Sequence, residues 1–211
     1  MRVTEIFFSV QGESTHAGKP CVFVRLTGCS LRCVWCDTKY SYFGGQEMSL
    51  DGVLDTISRY PAKLVEVTGG EPLEQDEVYP LMKALLERNY TVMLETGGHV
   101  RIDRVPEQVI RIIDIKCPDS GEEHKNDWSN LQLASPHDEF KFVIASRRDY
   151  EWAREVFRSK LQSKPNASFF SPSHDQLSAK DLAGWILEDG LQVRIQLQIH
   201  KYIWGSHARG V

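Results

Sequence analysis

Cys29, Cys33 and Cys36 stand at C-x-x-x-C-x-x-C spacing within Gly28-Cys29-Ser30-Leu31-Arg32-Cys33-Val34-Trp35-Cys36-Asp37-Thr38, directly after the apolar run 22–26. Three thiolates on one short loop can hold three irons of a four-iron cluster, because soft sulfur ligands suit iron and such clusters are normally held by cysteine thiolates. The fourth iron then stays open to a small molecule that chelates it through an amine and a carboxylate and receives an electron from the reduced cluster. A structural zinc site would need four ligands, usually as two paired half-sites, and the second half is missing. A redox dithiol needs only Cys33 and Cys36 and leaves Cys29 unexplained. Cys21 beside Pro20 and Cys117 before Pro118 stand alone. Either could in principle complete a site, although isolated cysteines are more often small buried hydrophobes.

The rest of the chain must position that loop. With 211 residues, 41% hydrophobic and 26% charged, it has room for a full core and the balance of an ordinary globular protein. The length favours a single domain over 1–211. A net charge of −4 argues against broad affinity for nucleic acid or an anionic membrane and points to a small substrate. Five cysteines, three of them clustered, do not make a secreted disulfide framework, so a reducing cytoplasm is the expected setting. The opening Met1-Arg2-Val3-Thr4-Glu5-Ile6 is broken by Glu5 and lacks the apolar core and cleavage site of a signal peptide. No run approaches the roughly 18 apolar residues of a membrane span.

Six short runs rich in Val, Ile or Phe, at 22–26, 64–67, 91–94, 110–115, 140–144 and 167–170, read as buried parallel strands. Helical patterns separate them. The clearest covers 75–89, where Val78, Leu81, Met82, Leu85 and Leu86 make an apolar stripe. Ser146 with Asp149, and Ser178 with Asp181, have the spacing of a hydroxyl cap and a reciprocating carboxylate, and Gly190 would end the last helix in a left-handed cap. A helix over 49–60 is weakened by Gly52 inside it. Repeated strand and helix units call for a parallel sheet with right-handed crossovers. Six strands with about four helices predict an α/β fold, an incomplete TIM-like barrel rather than a closed eightfold one. The segment 192–203 alternates polar residues with Val193, Ile195, Leu197 and Ile199 and reads as an added C-terminal strand. Sites in such sheets form at the carboxyl ends of strands. The cysteine loop and the segments 68–72, 95–98 and 116–121 all fall there, which implies a single mouth.

Other residues have chemistry of their own. Gly69-Gly70 before Glu71-Pro72 lets a ligand approach the main chain, or forms a tight strand-to-helix turn. Ser171-Pro172-Ser173-His174 alone reads as a polar turn. Arg25, inside an apolar run, is costly unless it is paired or waits for an anion; a buried salt bridge is the alternative. Gln11 and Glu13, within Ser9-Val10-Gln11-Gly12-Glu13-Ser14, offer amide and carboxylate partners to a flat, nitrogen-rich heterocycle.

The cysteine spacing, with Trp35 just before the last cysteine and Thr68-Gly69-Gly70-Glu71-Pro72 one strand later, resembles the radical S-adenosylmethionine enzymes. A narrower resemblance adds Ser9 to Glu13, Arg25, Cys36-Asp37-Thr38, Glu95-Thr96-Gly97-Gly98, Asp114-Ile115-Lys116-Cys117-Pro118 and Gln198-Ile199-His200-Lys201-Tyr202-Ile203-Trp204. In that order these segments are similar to the 7-carboxy-7-deazaguanine synthase family. One departure is Gly97-Gly98, where Asn-Gly is commoner. The resemblance implies conversion of 6-carboxy-5,6,7,8-tetrahydropterin to 7-carboxy-7-deazaguanine with loss of ammonia, using a 4Fe-4S cluster, S-adenosylmethionine and Mg2+. It implies Cys29, Cys33 and Cys36 as iron ligands and Thr38 as a magnesium ligand. Contacts to S-adenosylmethionine fall on Trp35, Cys36, Asp37, Gly70, Glu71, Cys117, Ser171, Pro172, Ser173 and His174. Contacts to the pterin fall on Val10, Gln11, Gly12, Glu13, Arg25 and Thr68, with His200 an additional one. It further implies an electron donor such as flavodoxin or ferredoxin, and a homodimer for which the C-terminal strand is the candidate interface. A glycyl-radical activating enzyme would share the cysteine loop and glycine turn but needs neither residues 11–13 nor Arg25. A zinc-stabilised binding module is the alternative outside the enzymes.

Overall fold

Alternation along the strands decides the architecture. The computed structural model describes residues 1–206 and 208–211. Nine strands form one sheet: β1 (Arg2–Val10), β2 (Pro20–Leu26), β3 (Gln46–Glu47), β4 (Leu64–Gly69), β5 (Thr91–Thr96), β6 (Ile110–Asp114), β7 (Glu139–Ile144), β8 (Ala167–Pro172) and β9 (Arg194–Ile195), in the spatial order β3-β1-β2-β4-β5-β6-β7-β8-β9. From β2 to β9 every neighbouring pair is parallel. In β4, Val65 and Val67 join the apolar layer under the helices, whereas Glu66 and Thr68 face the cavity on the other side. The same phase puts Val92 and Leu94 outward and Glu95 inward on β5, and Phe140 and Phe142 outward and Lys141 inward on β7. An open sheet with an apolar convex face and a polar concave one is the incomplete barrel expected from the six runs.

The convex face is covered by α1 (Leu50–Ser58), α2 (Val78–Glu87), the short α3 (Asn130–Leu133), α4 (Arg147–Val156) and α5 (Ala179–Glu188). The hydroxyl half of each expected cap forms, Ser146 and Ser178 accepting from the amides of Asp149 and Asp181, and Ser49 does the same for Gly52; the carboxylates do not reciprocate, since Asp149 accepts from the Ala145 and Asp119 amides and Asp181 from the Ser178 hydroxyl. Gly52 is tolerated because it sits in the first turn, where its amide is the one the cap needs. Val78, Leu81, Met82 and Leu85 of α2 are buried, and Gly190 follows α5 at φ 59.

Two parts differ from the sequence reading. Residues 2–10 form a full strand, antiparallel to β2, that Glu5 hid. Glu5 is opposite Arg25 in register and pairs with it, so the charge that interrupts the apolar run is satisfied across the strands. At the other end the added C-terminal strand is only two residues long, Arg194–Ile195, and from Ile199 the segment is a helix, α6 (Ile199–Trp204). The strand stops because the side chains that follow turn inward to the loop after β1: Gln196 Nε2 donates to the Ser14 carbonyl, Gln198 Nε2 to Glu13 Oε1, and the Ile199 amide to the Gly12 carbonyl.

Beneath the barrel, Asp138 ties β6 to the turn before β7. Its carboxylate accepts from the Arg111 amide at 2.9 Å and the Ser135 amide at 2.7 Å, and pairs with the Arg111 guanidinium at 2.6 Å. Both residues are buried. Asp138→Ala leaves a buried cation unpaired, which costs about 3 to 5 kcal/mol. The expected result is an unfolding free energy in urea lowered by that amount, read as a lower midpoint at unchanged slope; a midpoint within error of the original would show that the pair is dispensable.

Candidate active site

The concave face encloses a cavity of about 560 Å³ with its mouth at the carboxyl ends of the strands. Cys29, Cys33 and Cys36 all line it, together with Trp35, Asp37 and Thr38 from the same loop. So do Thr68, Gly69 and Gly70 after β4, Glu95 to Gly97 at the end of β5, Lys116 after β6 and Ser173 and His174 after β8. The single mouth predicted from the strand ends is present.

The cysteine loop has little regular structure but is tied at several points. The Gly28 amide donates to the Ser41 carbonyl, the Val34 amide to the Ser120 carbonyl, and the Cys36 amide to the Cys33 carbonyl. Carboxylates hold two more amides: Ser30 donates to Glu74, and Arg32 to Glu122 at 2.7 Å. The Thr38 hydroxyl makes no cap bond to the turn that follows and lies 3.6 Å from Cys36 Sγ. Asp37 is half-exposed and pairs with Lys201 of α6 at 2.9 Å.

Glu71 is fully buried and its carboxylate is committed within the protein. It accepts from the Leu73 amide, the Gly97 amide at 2.7 Å and the Thr96 hydroxyl at 2.9 Å. Burial raises its pKa although His99 and these donors oppose the shift. The side chain thus braces the turn after β4 against the end of β5, and it is Gly70 that lines the cavity. A Cβ on Gly70 would fall 2.0 Å from the Gly28 carbonyl oxygen and 2.8 Å from Cys29 Cβ, so this position must be glycine for the two loops to meet.

The remaining sequence candidates divide. Ser173 and His174 reach the cavity. Ser171 is buried and its Oγ has no hydrogen-bond partner among the described residues. Pro172 lines a neighbouring groove with Tyr202. The Cys117 side chain is sealed in the apolar layer under the helices, with burial pushing its thiol well above the ordinary range; only its backbone remains for a ligand.

Deeper in the cavity lie Val10, Gln11, Gly12, Glu13, Arg25 and His200. Glu5 takes Arg25 Nε at 2.8 Å and also accepts from the Tyr40 hydroxyl at 2.7 Å. The terminal nitrogens of Arg25 have no hydrogen-bond partner among the described residues. The buried pair and the waiting guanidinium are thus both present. Burial lowers the His200 pKa despite Glu13 nearby, so the ring is neutral at pH 7.

Sequence reasoning missed the ionic floor. Lys141 Nζ bonds to Glu13 Oε2 at 2.8 Å and to Glu95 Oε1, and Lys116 pairs with Asp114 at 2.7 Å. Burial alone would lower the Lys141 pKa, but Glu13 and Glu95 hold it well above the usual lysine range. Burial, with Glu95 and Glu13 adding repulsion, pushes Glu66 up to about 8. The signal was available: Glu66, Glu95 and Lys141 each occupy the inward phase of a strand whose outward phase is apolar.

Residues 23–168 match the family described as the Radical SAM superfamily. Over the whole chain the sequence is 46% identical to a 7-carboxy-7-deazaguanine synthase from Koribacter versatilis, with all of both chains covered. It is 45% identical to one from Chlorobaculum tepidum, covering all of this chain and 97% of the relative. The chain belongs to the 7-carboxy-7-deazaguanine synthase family. Among solved structures it is similar to QueE from Escherichia coli, with a TM-score of 0.78 at 25% identity over 93% of each chain. It shares the fold of Streptococcus suis SuiB at a TM-score of 0.51 and 11% identity, covering 81% of this chain and 45% of the other.

Membership in the radical S-adenosylmethionine enzymes calls for a four-iron cluster and S-adenosylmethionine, and the residues present fit them. Three thiols face one cavity, Gly70 leaves backbone open beside them, and Ser173 and His174 line the same cavity. Burial, with Glu71 and Glu74 nearby, pushes Cys29 up to about 11, so iron must displace a proton to bind there. Cys29→Ala, Cys33→Ala and Cys36→Ala should each lose the brown iron-sulfur absorbance and the matching iron and sulfide, while Cys21→Ala and Cys117→Ala keep both. A Cys36→Ala protein with a full cluster, beside a Cys117→Ala protein without one, would reverse the ligand assignment.

Proposed function

We propose that the protein converts 6-carboxy-5,6,7,8-tetrahydropterin to 7-carboxy-7-deazaguanine with loss of ammonia, on the route to queuosine and related 7-deazapurines. The observation that carries this reading is that one cavity holds both the three-thiol loop at its mouth and, on the adjoining strand, an arginine whose free fork suits a carboxylate. When bound, the cluster and S-adenosylmethionine would supply the radical chemistry needed to remove a hydrogen atom from C6 of the pterin. The chain's own part is positioning and exclusion of water. Gly70 and Ser171 to His174 bind the cofactor, and Glu71 fixes the turn that carries Gly70. Arg25 holds the substrate carboxylate, while Val10 to Glu13, Thr68 and His200 hold the ring system. The Thr38 hydroxyl caps no helix, touches Cys36 Sγ and lines the same cavity as Arg25, which suits a magnesium ion that takes few protein oxygens and completes its shell with water and substrate oxygens.

The five free cysteines fit a reducing cytoplasm, and among the described residues no helix is long and apolar enough to cross a membrane. One continuous sheet supports a single domain over 1–211. Reduction is assigned to a protein donor such as flavodoxin or ferredoxin. A homodimer is assigned to the C-terminal segment, where Tyr202, Ile203 and Trp204 are exposed on α6.

Anaerobic incubation of reconstituted protein with S-adenosylmethionine, dithionite and the carboxypterin should give the deazaguanine; its absence with an intact cluster would overturn the assignment. Arg25→Ala should keep the cluster and slow, uncoupled cofactor cleavage but lose pterin-dependent product, since truncating a buried charge pair costs roughly 2 to 5 kcal/mol. Unchanged substrate affinity would leave Arg25 as the partner of Glu5 alone. Added magnesium should stimulate turnover, Thr38→Ala should abolish that response without loss of iron, and Thr38→Ser should retain much of it. An undiminished response in Thr38→Ala would remove Thr38 from the magnesium site.

A further inference from the structure

Glu66 lies in the cavity and has no part in the steps above. It is 2% exposed in the middle of β4, lines the cavity, and its Oε2 accepts from Gln11 Nε2. Gln11 Oε1 in turn accepts from the Glu13 backbone amide, so the side-chain amide is oriented from both ends and its donor side is aimed at Glu66. Oε1 of Glu66 has no hydrogen-bond partner among the described residues and is not sealed from the cavity. The nearby cation does not claim it: Lys141 is committed to Glu13 and Glu95. A carboxyl group in a strand interior is costly to bury, and this one is held in place with an acceptor left over.

Its surroundings describe a ligand. Phe7 and Phe23 line the same cavity with their rings stacked, 4.9 Å apart and 10° from parallel, a flat wall for a flat heterocycle. Beneath it Cys21, Leu64, Met93 and Ile112 close an apolar floor. In the β2–β4 register Arg25 is level with Thr68, and Phe23 is level with Glu66. Glu66 is therefore two residues, about 7 Å, further from the mouth than Arg25. That offset is comparable with the breadth of a fused two-ring heterocycle.

We infer that Glu66 is a specificity-determining residue that reads the pyrimidine edge of the substrate, accepting the ring N–H and one N–H of the 2-amino group as a pair while Gln11 holds the carboxylate in place. The inference rests on the carboxypterin reading above. With the substrate carboxylate and C6 at the level of Arg25 and the radical source at the mouth, the opposite end of the bicycle reaches the level of Glu66. That end presents two adjacent donors; they favour the ionised form of a carboxyl that burial and Glu95 otherwise hold protonated, and the carboxylate so formed presents two acceptors with lone pairs to spare for Gln11. A lookalike with an oxo group in place of the 2-amino group would set oxygen against oxygen, and a site built for hydrogen bonds rejects the ligand that cannot make them.

The test compares 6-carboxytetrahydropterin with its 2-oxo counterpart, using the reconstituted full chain. The unaltered enzyme should strongly prefer the 2-amino compound. Glu66→Gln should raise KM for it ~10- to 100-fold, with a smaller fall in kcat. It should also narrow the preference over the 2-oxo compound, because its amide can donate to that oxygen. Glu66→Asp should raise KM while keeping the preference. A Glu66→Gln enzyme with unaltered KM and undiminished preference overturns the inference and leaves the edge to Glu13. If Glu66→Gln does not fold, as read by thermal melting and iron content, Glu66→Asp decides: unaltered KM there overturns it equally. Turnover of the carboxypterin without preference by the unaltered enzyme sinks the subsite alone, whereas no turnover at all sinks the proposed function and the subsite with it.

Discussion

Lys141 carries a positive charge at 5% exposure, and the concave face is organised by the need to satisfy it. Removing an ammonium from water costs several kcal/mol, and the cost is met only when opposite charges with good geometry surround it. Glu95 comes from β5 and Glu13 from the loop after β1, so satisfying one lysine on β7 fixes three separated parts of the chain. Glu13 then passes the constraint on. Its second oxygen accepts from Gln198, just before α6, and the neighbouring Gly12 carbonyl accepts from the Ile199 amide. The C-terminal helix is thereby placed by a charge in the barrel rather than by a face of its own, since none of its residues is buried.

At the mouth a second constraint acts with different chemistry. Glu71 is held by neutral donors: two amides and a hydroxyl. With these donors, and His99 Nδ1 3.6 Å away, the buried carboxylate fixes the geometry of the turn beside the cysteine loop. The result is a cavity with two regimes. Its depth is ionic and its rim is built of backbone and small polar groups. The rim has the chemistry to receive a small cofactor beside the thiols, and the depth has the chemistry to receive an anionic, nitrogen-rich heterocycle.

What could be read in the sequence follows from which face of each strand carried the signal. The six parallel strands were legible because their outward residues are apolar and the runs are short. α4 and α5 were legible because Ser146 and Ser178 cap them with the expected spacing. β1 was not, because Glu5 looks like an interruption until Arg25 is seen opposite it. The segment 192–203 alternates like a strand, yet Gln196 and Gln198 are drawn to the loop at 13–14, and that demand overrides the alternation after two paired residues. Lys141 and Glu66 were passed over as single charges inside apolar runs. Their meaning appears only when several strands are aligned in phase, which one strand's periodicity does not provide. For the site, the residue types at the cysteine loop pointed to the cluster on their own; the substrate side came from resemblance, and the side chain of Cys117 shows that a motif position can be occupied without its functional group reaching the cavity.

His200 joins the ionic depth to the chemistry. A Cβ on Gly12 would fall 2.0 Å from His200 Nδ1, so the imidazole packs against bare backbone, where glycine alone leaves room. Burial lowers the ring's pKa and Lys201 adds to the effect, Glu13, Asp37 and Glu95 raise it, and burial wins. Burial therefore keeps the histidine neutral, with one nitrogen donating and the other accepting. A neutral imidazole at this depth can hydrogen-bond a heterocycle without adding another cation to a cavity already lined by Arg25, Lys116, Lys141 and Lys201. In this cavity Glu5 answers the charge of Arg25, and Glu13 with Glu95 that of Lys141, so what Arg25 keeps for a ligand is the pair of terminal nitrogens that no carboxylate takes.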